Sequence, residues 1–217
     1  KNESKTFFAR DRLGVKPLFY TLTNDTFIFA TKIKAILAHP DITPVLDKEG
    51  LMELIGLGPA HTPGRTYFKN IFELEAGHYA IFSDFKLEIK KYWDLVTKEF
   101  EDSYEETISQ IHDLVVNSTK IELCDNICSM LSGGLDSSIL AKIAKDNIPN
   151  LTTFSIDYVG NDTNFVSNDY QLTKDSDYVK IMKEYLKTNH KTITVENSYL
   201  YELLQKSMIA RDMPGMA

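Results

Sequence analysis

Apolar residues in the first 95 positions alternate with polar residues over short runs, a pattern that predicts β-strands. Turn residues between these runs predict two hairpins in series and a third hairpin near the end of the region. The predicted strands cover residues 6–11, 18–22, 26–30, 78–82 and 87–93. Short helices are predicted to begin at Thr31 and Asp47, because either side chain can accept a hydrogen bond from a free N–H group of a first helical turn.

The strand pattern stops near residues 94–103, where an acidic stretch begins. Ser103 and Glu106 form the S-x-x-E pattern of a capping box, in which each side chain binds a backbone N–H group at the start of a helix. Apolar residues follow at helical spacing, and they are Tyr104, Ile108, Ile111 and Val115. The chain is therefore predicted to pass here from one module to another, with a helix opening the second.

Strands and helices alternate after this helix. Strands are predicted at residues 126–131, 152–158 and 191–195, and helices at residues 137–145, 176–186 and 198–211. Such alternation with short connections is typical of a parallel sheet covered by helices on both faces. The stretch 160–174, rich in Asn and Asp, is predicted to be a surface loop.

Charge and composition argue against some classes of partner. The net charge of −7 is uneven, because residues 1–95 carry 13 Lys and Arg against 12 Asp and Glu, whereas residues 96–217 carry 11 against 19. An acidic second module argues against a nucleic-acid partner. The chain has no apolar run of membrane-spanning length and no signal-peptide pattern at its start, so we expect a cytoplasmic protein without a membrane partner.

Cys124 and Cys128 are the cysteines of the chain, and neither has a further Cys or His nearby in sequence. A disulfide scaffold or a zinc site would need more such residues. Cys128 lies within an apolar run, so we expect it to be a buried free thiol.

The most informative segment, Ser132–Ser138, lies between a predicted strand and a predicted helix. A helix N-terminus offers unpaired N–H groups and the positive end of the helix dipole, which bind anions. Glycines let the backbone approach phosphate oxygens closely, and hydroxyl groups add donors. The residues that supply these features are Gly133, Gly134, Ser132, Ser137 and Ser138. The segment therefore predicts a phosphate-binding loop.

Asp136 cannot bind a phosphate directly because like charges repel. Its expected role is either to hold Mg2+ against the phosphates or to orient the serine donors. The simpler interpretation is a Gly-Gly turn that leads into a serine-capped helix, but the strand before and the helix after favour nucleotide binding. The segment matches neither the G-x-x-x-x-G-K-[ST] nor the G-x-G-x-x-G nucleotide loop.

The segment resembles the pyrophosphate loop of ATP pyrophosphatases, which split ATP between the α and β phosphates to adenylate a substrate. Its surroundings, MLSGGLDSSILAKIA, are similar to those in the asparagine synthetase family. Further segments resemble the same family and follow its order along the chain. They are ARDRLGVKPLFY (9–20), FATKIKAIL (29–37), LEAGHYAIF (74–82) with KKYWDL (90–95), and ARDMPGMA (210–217).

The resemblance implies two domains. Residues 1–97 would be the C-terminal part of a glutamine amidotransferase domain with the αββα sandwich of Ntn hydrolases. Residues 98–217 would begin a doubly wound parallel α/β domain of the ATP pyrophosphatase class. Family members free ammonia from glutamine and use ATP to convert aspartate into β-aspartyl-AMP, which reacts to give asparagine, AMP and pyrophosphate. The expected cofactors are ATP and Mg2+, and the expected partners are these small molecules and a second copy in a homodimer.

The same resemblance assigns further roles. Met130 and Ile156 should border the adenine through backbone contacts, Arg211 should help to bind aspartate or the adenylate, and Asp136 should act in catalysis. Neither Cys124 nor Cys128 is placed to act as the cysteine nucleophile of the glutaminase. The glutamine-binding residues of the family are expected upstream of residue 1, and a second synthetase motif is expected beyond residue 217. The chain is then a central fragment, inactive alone.

Other functions share parts of this pattern. β-Lactam synthetases and lasso-peptide cyclases use the same adenylation for ring closure. A non-catalytic relative could bind nucleotide for regulation, although the loop keeps all of its polar residues.

Overall fold

The structure is a computed structural model. It describes residues 5–58, 60–99, 101–169 and 171–213. The chain forms two compact units. The first contains the residues up to Lys98 together with those from Glu202 onward, and the second contains Glu99–Tyr201.

The first unit is built mainly from antiparallel strands. Its elements are β1 (Thr6–Ala9), β2 (Phe19–Leu22), β3 (Phe27–Ala30), α1 (Ile33–Leu37), α2 (Lys48–Leu57), β4 (Phe72–Glu73), β5 (His78–Ser83) and β6 (Lys86–Lys91). One sheet has the order β1-β5-β6 and the other has the order β3-β2-β4. The predicted hairpins β2–β3 and β5–β6 are confirmed. The predicted hairpin of the two N-terminal strands is wrong, because β1 pairs with β5, a strand about 70 residues later in the chain.

The two helices of this unit are fixed in different ways, α2 by a side-chain cap and α1 by burial. Asp47 caps α2 as predicted, its side chain accepting a hydrogen bond from the Gly50 N–H at 3.0 Å. The predicted cap at Thr31 is wrong, because α1 follows Lys32, whose side chain makes no capping hydrogen bond. Ile33 and Ile36 of α1 are fully buried, so their packing fixes this helix without a side-chain cap.

The second unit alternates helices with parallel strands. Its elements are α3 (Tyr104–Ile121), β7 (Cys128–Met130), α4 (Leu135–Asn147), β8 (Thr152–Tyr158), α5 (Asn161–Asn164), α6 (Asp175–Leu186) and β9 (Asn189–Val195), and α7 (Asn197–Arg211) begins in it. The strands pair in parallel in the order β7-β8-β9. The capping box is confirmed, because Ser103 and Glu106 each bind the other's backbone N–H group. The predicted loop 160–174 contains the one-turn helix α5.

The core of this unit lies between the sheet and its helices, where Leu131, Ala141 and Leu186 pack together. Cys128 and Met130 alternate with Ser129 and Leu131 along the chain, so they lie on the other side of β7. Met130 is 56% exposed and Cys128 is exposed as well. The prediction of a buried thiol at Cys128 is therefore wrong. No helix in the described part of the chain is both long enough and apolar enough to cross a bilayer.

Candidate nucleotide-binding site

A cleft of about 640 Å³ opens in the second unit at the carboxyl ends of β7 and β8, beside the first turns of α6. Ligands of open parallel sheets bind outside the carboxyl ends of the strands. The lining includes Met130, Ser132, Ser137, Ser155, Ile156, Asp157, Asp175, Asp177, Lys180, Lys183 and Thr192. The cleft thus contains part of the predicted phosphate loop and side chains from all three strands and from α6.

Hydrogen bonds close the loop between β7 and α4 upon itself. The hydroxyl oxygens of Ser132 and Ser137 lie 2.9 Å apart, and the Ser137 Oγ also accepts from the backbone N–H of Ser132 at 3.2 Å. The first N–H groups of a helix have no intrahelical partners. The pairing of the two serines therefore holds the chain in a tight turn in front of the free N–H groups of α4.

Gly133 has a left-handed backbone with φ of 85°. A Cβ atom built on it would lie 2.7 Å from the Cβ of Tyr178 and 3.0 Å from the backbone oxygen of Asp175, both on α6. The loop is thus pressed against the start of a second helix. Because each helix N-terminus carries a partial positive charge, the first turns of α4 and α6 together favour an anion in the cleft.

Met130 and Ile156 lie at the ends of neighbouring strands and contribute apolar surface to the cleft. Their side chains are 56% and 54% exposed. Exposed aliphatic groups at a strand end can pack against a flat ring such as adenine, while the backbone of the same residues offers hydrogen bonds.

The structure places the other predicted residues in different surroundings. Gly134 is the N-cap of α4, and Asp136 is exposed in the first turn of that helix. Ser138 lines a separate groove between α3, α4 and α6, where its hydroxyl oxygen is buried without a partner among the described residues. Arg211 is the exposed last residue of α7, belongs to the first unit and is not among the residues that line the cleft.

Charged residues on α6 complete the cleft and were not identified from the sequence. Lys180 and Lys183 are three residues apart and therefore lie on one face of this helix, and both line the cleft. Acidic side chains also line it, and they are Asp157, Asp162, Asp175 and Asp177. The i, i+3 lysine spacing on a predicted helix is the signal that could have revealed the two cations.

The ligand atoms that the loop offers suit Mg2+ bound to a phosphate group. Among the described residues, no group of three or more His, Cys, Asp and Glu side chains is placed to hold a metal ion by itself. Asp136, within the Ser132–Ser138 segment, offers an exposed carboxylate in the first turn of α4. Phosphate sites commonly hold Mg2+ with one or two carboxylates together with phosphate oxygens and water. The carboxylate of Asp136 can therefore serve as the protein ligand of such a Mg2+ ion.

Comparisons with known proteins match both units. Residues 1–93 match the family model of a glutamine amidotransferase domain, and residues 110–217 match that of asparagine synthase. The chain is 39% identical over 218 aligned positions to glutamine-hydrolysing asparagine synthetase 3 of Bacillus subtilis, an alignment that covers 97% of this chain and 36% of that protein. It is 32% identical over 222 positions to putative asparagine synthetase 2 of Methanocaldococcus jannaschii, with 99% and 41% covered. The chain thus spans well under half the length of these relatives.

Proposed function

Because the chain belongs to the glutamine-hydrolysing asparagine synthetase family, we propose that its parent protein makes asparagine from aspartate, ATP and ammonia taken from glutamine. The observation that carries this proposal is the cleft in which the Ser132–Ser137 turn faces the first turn of α6. Two helix N-termini and a glycine backbone at the end of a parallel sheet favour a polyphosphate ligand.

The chemistry that we propose is the activation of a carboxylate by adenylation. A free carboxylate resists attack by ammonia, and joining it to AMP provides a leaving group. The demanding part of this step is the charge that develops on the departing pyrophosphate. Fixed N–H donors at the loop, with Lys180 and Lys183 across the cleft, would stabilise that charge without reorganising.

Residues of the cleft and of the loop beside it have separate roles in this proposal. Met130 and Ile156 border the adenine, and the loop of Ser132 and Ser137 holds the phosphates. Mg2+, when bound with ATP, supplies additional positive charge at the phosphate oxygens. Asp136 is the residue that would hold it. Arg211 would act on aspartate or the adenylate only if the complete enzyme brings it to the cleft.

The two domains expected from the sequence correspond in this proposal to two activities, and the residues from Glu202 onward, which pack with the first unit, belong by sequence to the second domain. Residues 1–97 form the end of an Ntn-type glutaminase domain, and residues 98–217 form the start of a doubly wound ATP pyrophosphatase domain. The exposed Met130, Ile156 and Ile193 on one side of the second sheet support this proposal, because a doubly wound domain covers both faces of its sheet. The 217 residues alone are then expected to be inactive.

Exchange of labelled pyrophosphate into ATP by the parent protein is the test, because exchange reports adenylation without requiring ammonia. We expect exchange that depends on aspartate, followed by release of asparagine, AMP and pyrophosphate when glutamine is added. Exchange with another carboxylate and none with aspartate would instead indicate a related enzyme that forms a different amide bond. Nucleotide binding without any exchange would indicate a regulatory relative.

A further inference from the structure

Strand β8 carries polar side chains on the face that its helices cover. Thr153 is fully buried and Ser155 is 5% exposed, although buried parallel strands are usually rich in Val, Ile and Leu. Both hydroxyl groups contact the ring of His190 on β9. Thr153 Oγ1 lies 2.9 Å from Nδ1 and Ser155 Oγ lies 3.0 Å from Nε2. The histidine thus joins two buried hydroxyl groups through its two ring nitrogens.

These hydrogen bonds can run in only one direction when the imidazole is neutral. Ser155 donates its single hydroxyl hydrogen to Thr192 Oγ1 at 3.2 Å, so its contact with His190 requires an N–H group at Nε2. A neutral ring then has no hydrogen at Nδ1, which must accept from Thr153. Thr153 in turn must accept from Thr188, whose Oγ1 lies 2.8 Å from that of Thr153.

The surroundings of His190 favour the neutral ring. Burial lowers the pKa of His190 below its ordinary value, and the positive charge of Lys183 on α6 lowers it further. The directed chain therefore runs from Thr188 through Thr153 and His190 to Ser155, and it ends at Thr192. Thr192 lines the cleft together with Ser155. Thr192 Oγ1 also lies 3.4 Å from His190 Nε2, which carries the ring hydrogen in this arrangement and therefore cannot accept from it. Among the described residues, no other hydrogen-bond partner of the Thr192 hydroxyl than Ser155 and His190 is found.

We propose that His190 is a positioning residue that turns the Thr192 hydroxyl into a fixed hydrogen-bond donor for an anionic oxygen of the bound substrate. This inference rests on the proposed function, which supplies two such oxygens, a phosphate oxygen of ATP and a carboxylate oxygen of aspartate. A hydroxyl group that is free to rotate can point a lone pair at the cleft. The neutral imidazole prevents this because its Nε2–H group donates to Ser155, so that the Ser155 hydroxyl donates to Thr192 and occupies a lone pair of Thr192 Oγ1.

Variants of the parent protein separate this role from a purely structural one. Thr192→Val removes the hydroxyl at nearly constant shape. Thr194→Val is the matched control, because this residue lies two positions along the same strand and is not among the residues that line the cleft. His190→Gln can place an amide N–H near the position of Nε2, whereas the shorter side chain of His190→Asn reaches only the position of Nδ1.

We expect Thr192→Val and His190→Asn each to raise KM in the pyrophosphate exchange assay about tenfold for one substrate. A raised KM for ATP assigns the oxygen to the nucleotide, and a raised KM for aspartate assigns it to the carboxylate. His190→Gln should restore much of the loss, and Thr194→Val should leave both KM values unchanged. The double variant of His190→Asn and Thr192→Val should be no worse than Thr192→Val alone, because both changes remove the same donor.

A spectroscopic measurement on the wild-type protein makes the test independent of how the variants fold. Nitrogen-15 NMR of the histidine rings should show His190 with its hydrogen at Nε2. A hydrogen at Nδ1, or unchanged KM values in Thr192→Val while wild-type exchange is normal, would overturn the inference and leave the proposed function intact. Absence of aspartate-dependent exchange in the wild type would instead reject the proposed function, and the ring tautomer would still decide the direction of the hydrogen bonds.

Discussion

Gly133 approaches Tyr178 so closely that a Cβ atom at residue 133 would lie 2.7 Å from the Cβ of Tyr178. Real side chains do not tolerate such a separation, and the left-handed backbone of Gly133 would itself strain any other residue. The predicted phosphate loop and α6 are therefore held in one arrangement. A shift of this helix would move the loop, and it would also move Lys180 and Lys183, which line the same cleft.

We predict that Gly133→Ala lowers the affinity of the parent protein for ATP at least tenfold and destabilises it by about 1–3 kcal/mol, because the loop and α6 must separate. Isothermal titration with ATP and thermal unfolding are the measurements. Gly134→Ala is the matched control for thermal unfolding, because its backbone has φ of −69° and the nearest atom to an added Cβ is the Ser132 Oγ at 3.5 Å. Equal effects of the two substitutions would contradict the packing argument.

Local patterns in the sequence predicted the second unit well. The strand expected at residues 152–158 is found as Thr152–Tyr158, and the helix expected at 137–145 is found as Leu135–Asn147. β-Branched residues, apolar spacing and a Gly-Gly turn act over a few residues, so they are visible without knowledge of the rest of the chain. The loop was recognisable for the same reason, since a strand, two glycines and a helix follow one another directly.

Pairing over long distances could not be predicted in this way. The pairing of β1 with β5 depends on contacts between residues such as Phe8 and Ala80, which no turn connects. The same limit applies to the cleft, because Lys183 and Thr192 reach it from elements that only the sheet order brings beside the loop. Exposure of Cys128 was missed because an apolar run does not show which face of its sheet is covered.

We predict that Asp136→Asn in the parent protein suppresses asparagine synthesis about a hundredfold or more while glutamine hydrolysis is largely retained. Asp136 lies in the second unit, whereas the amidotransferase match covers residues 1–93. The side chain is exposed and its replacement keeps the same shape, so folding should not change. Ammonia release and pyrophosphate release, measured on one preparation, are the two readouts. Loss of both activities in a folded variant would contradict the division into two modules.

A buried ion cluster in the first unit should make its stability depend on pH. Hydrogen bonding to Glu73 raises the pKa of His61, and the two side chains meet at 3.3 Å. Burial alone would raise the pKa of Glu73, but His61 and Arg10 outweigh burial and lower it. The pKa of His61 is higher in the folded chain than in the unfolded chain, so the stabilisation is complete below the unfolded value of 6.5. It is lost as the pH rises through the folded pKa.

We therefore predict that the first unit unfolds at a temperature a few degrees lower at pH 8.5 than at pH 6, a loss of about 1 kcal/mol. The chain contains one tryptophan, Trp93, and it lies in this unit, so its fluorescence follows the transition. His61→Gln should flatten the dependence by removing the titrating group. His190 should change the stability of the second unit in the opposite direction. Its pKa is lowered in the folded chain, so the free energy of unfolding of that unit should increase as the pH rises from the folded pKa to the unfolded value of 6.5. An unchanged pH dependence in His61→Gln would exclude the His61–Glu73 pair as its cause.

The Ser132–Ser138 segment should bind an anion even in the 217-residue chain. Its donors are backbone N–H groups at the start of α4, and the serine pairing and the packing of Gly133 that shape the turn lie within the second unit. Affinity should be weak because four aspartates line the same cleft. It should improve with Mg2+, which can bridge Asp136 and the anion.

Amide NMR shifts during titration with pyrophosphate, with and without Mg2+, provide the measurement. We expect the amides of Gly133, Gly134 and Ser137 to move, and to move at lower concentration when Mg2+ is present. The amide of Gly77 in the first unit is an internal control that should not respond. In Gly133→Ala the shifts should weaken, because the turn can no longer pack against α6. If the loop amides of a folded wild-type chain stay still at millimolar pyrophosphate, the phosphate site does not form from these residues alone, and parts of the longer enzyme must complete it.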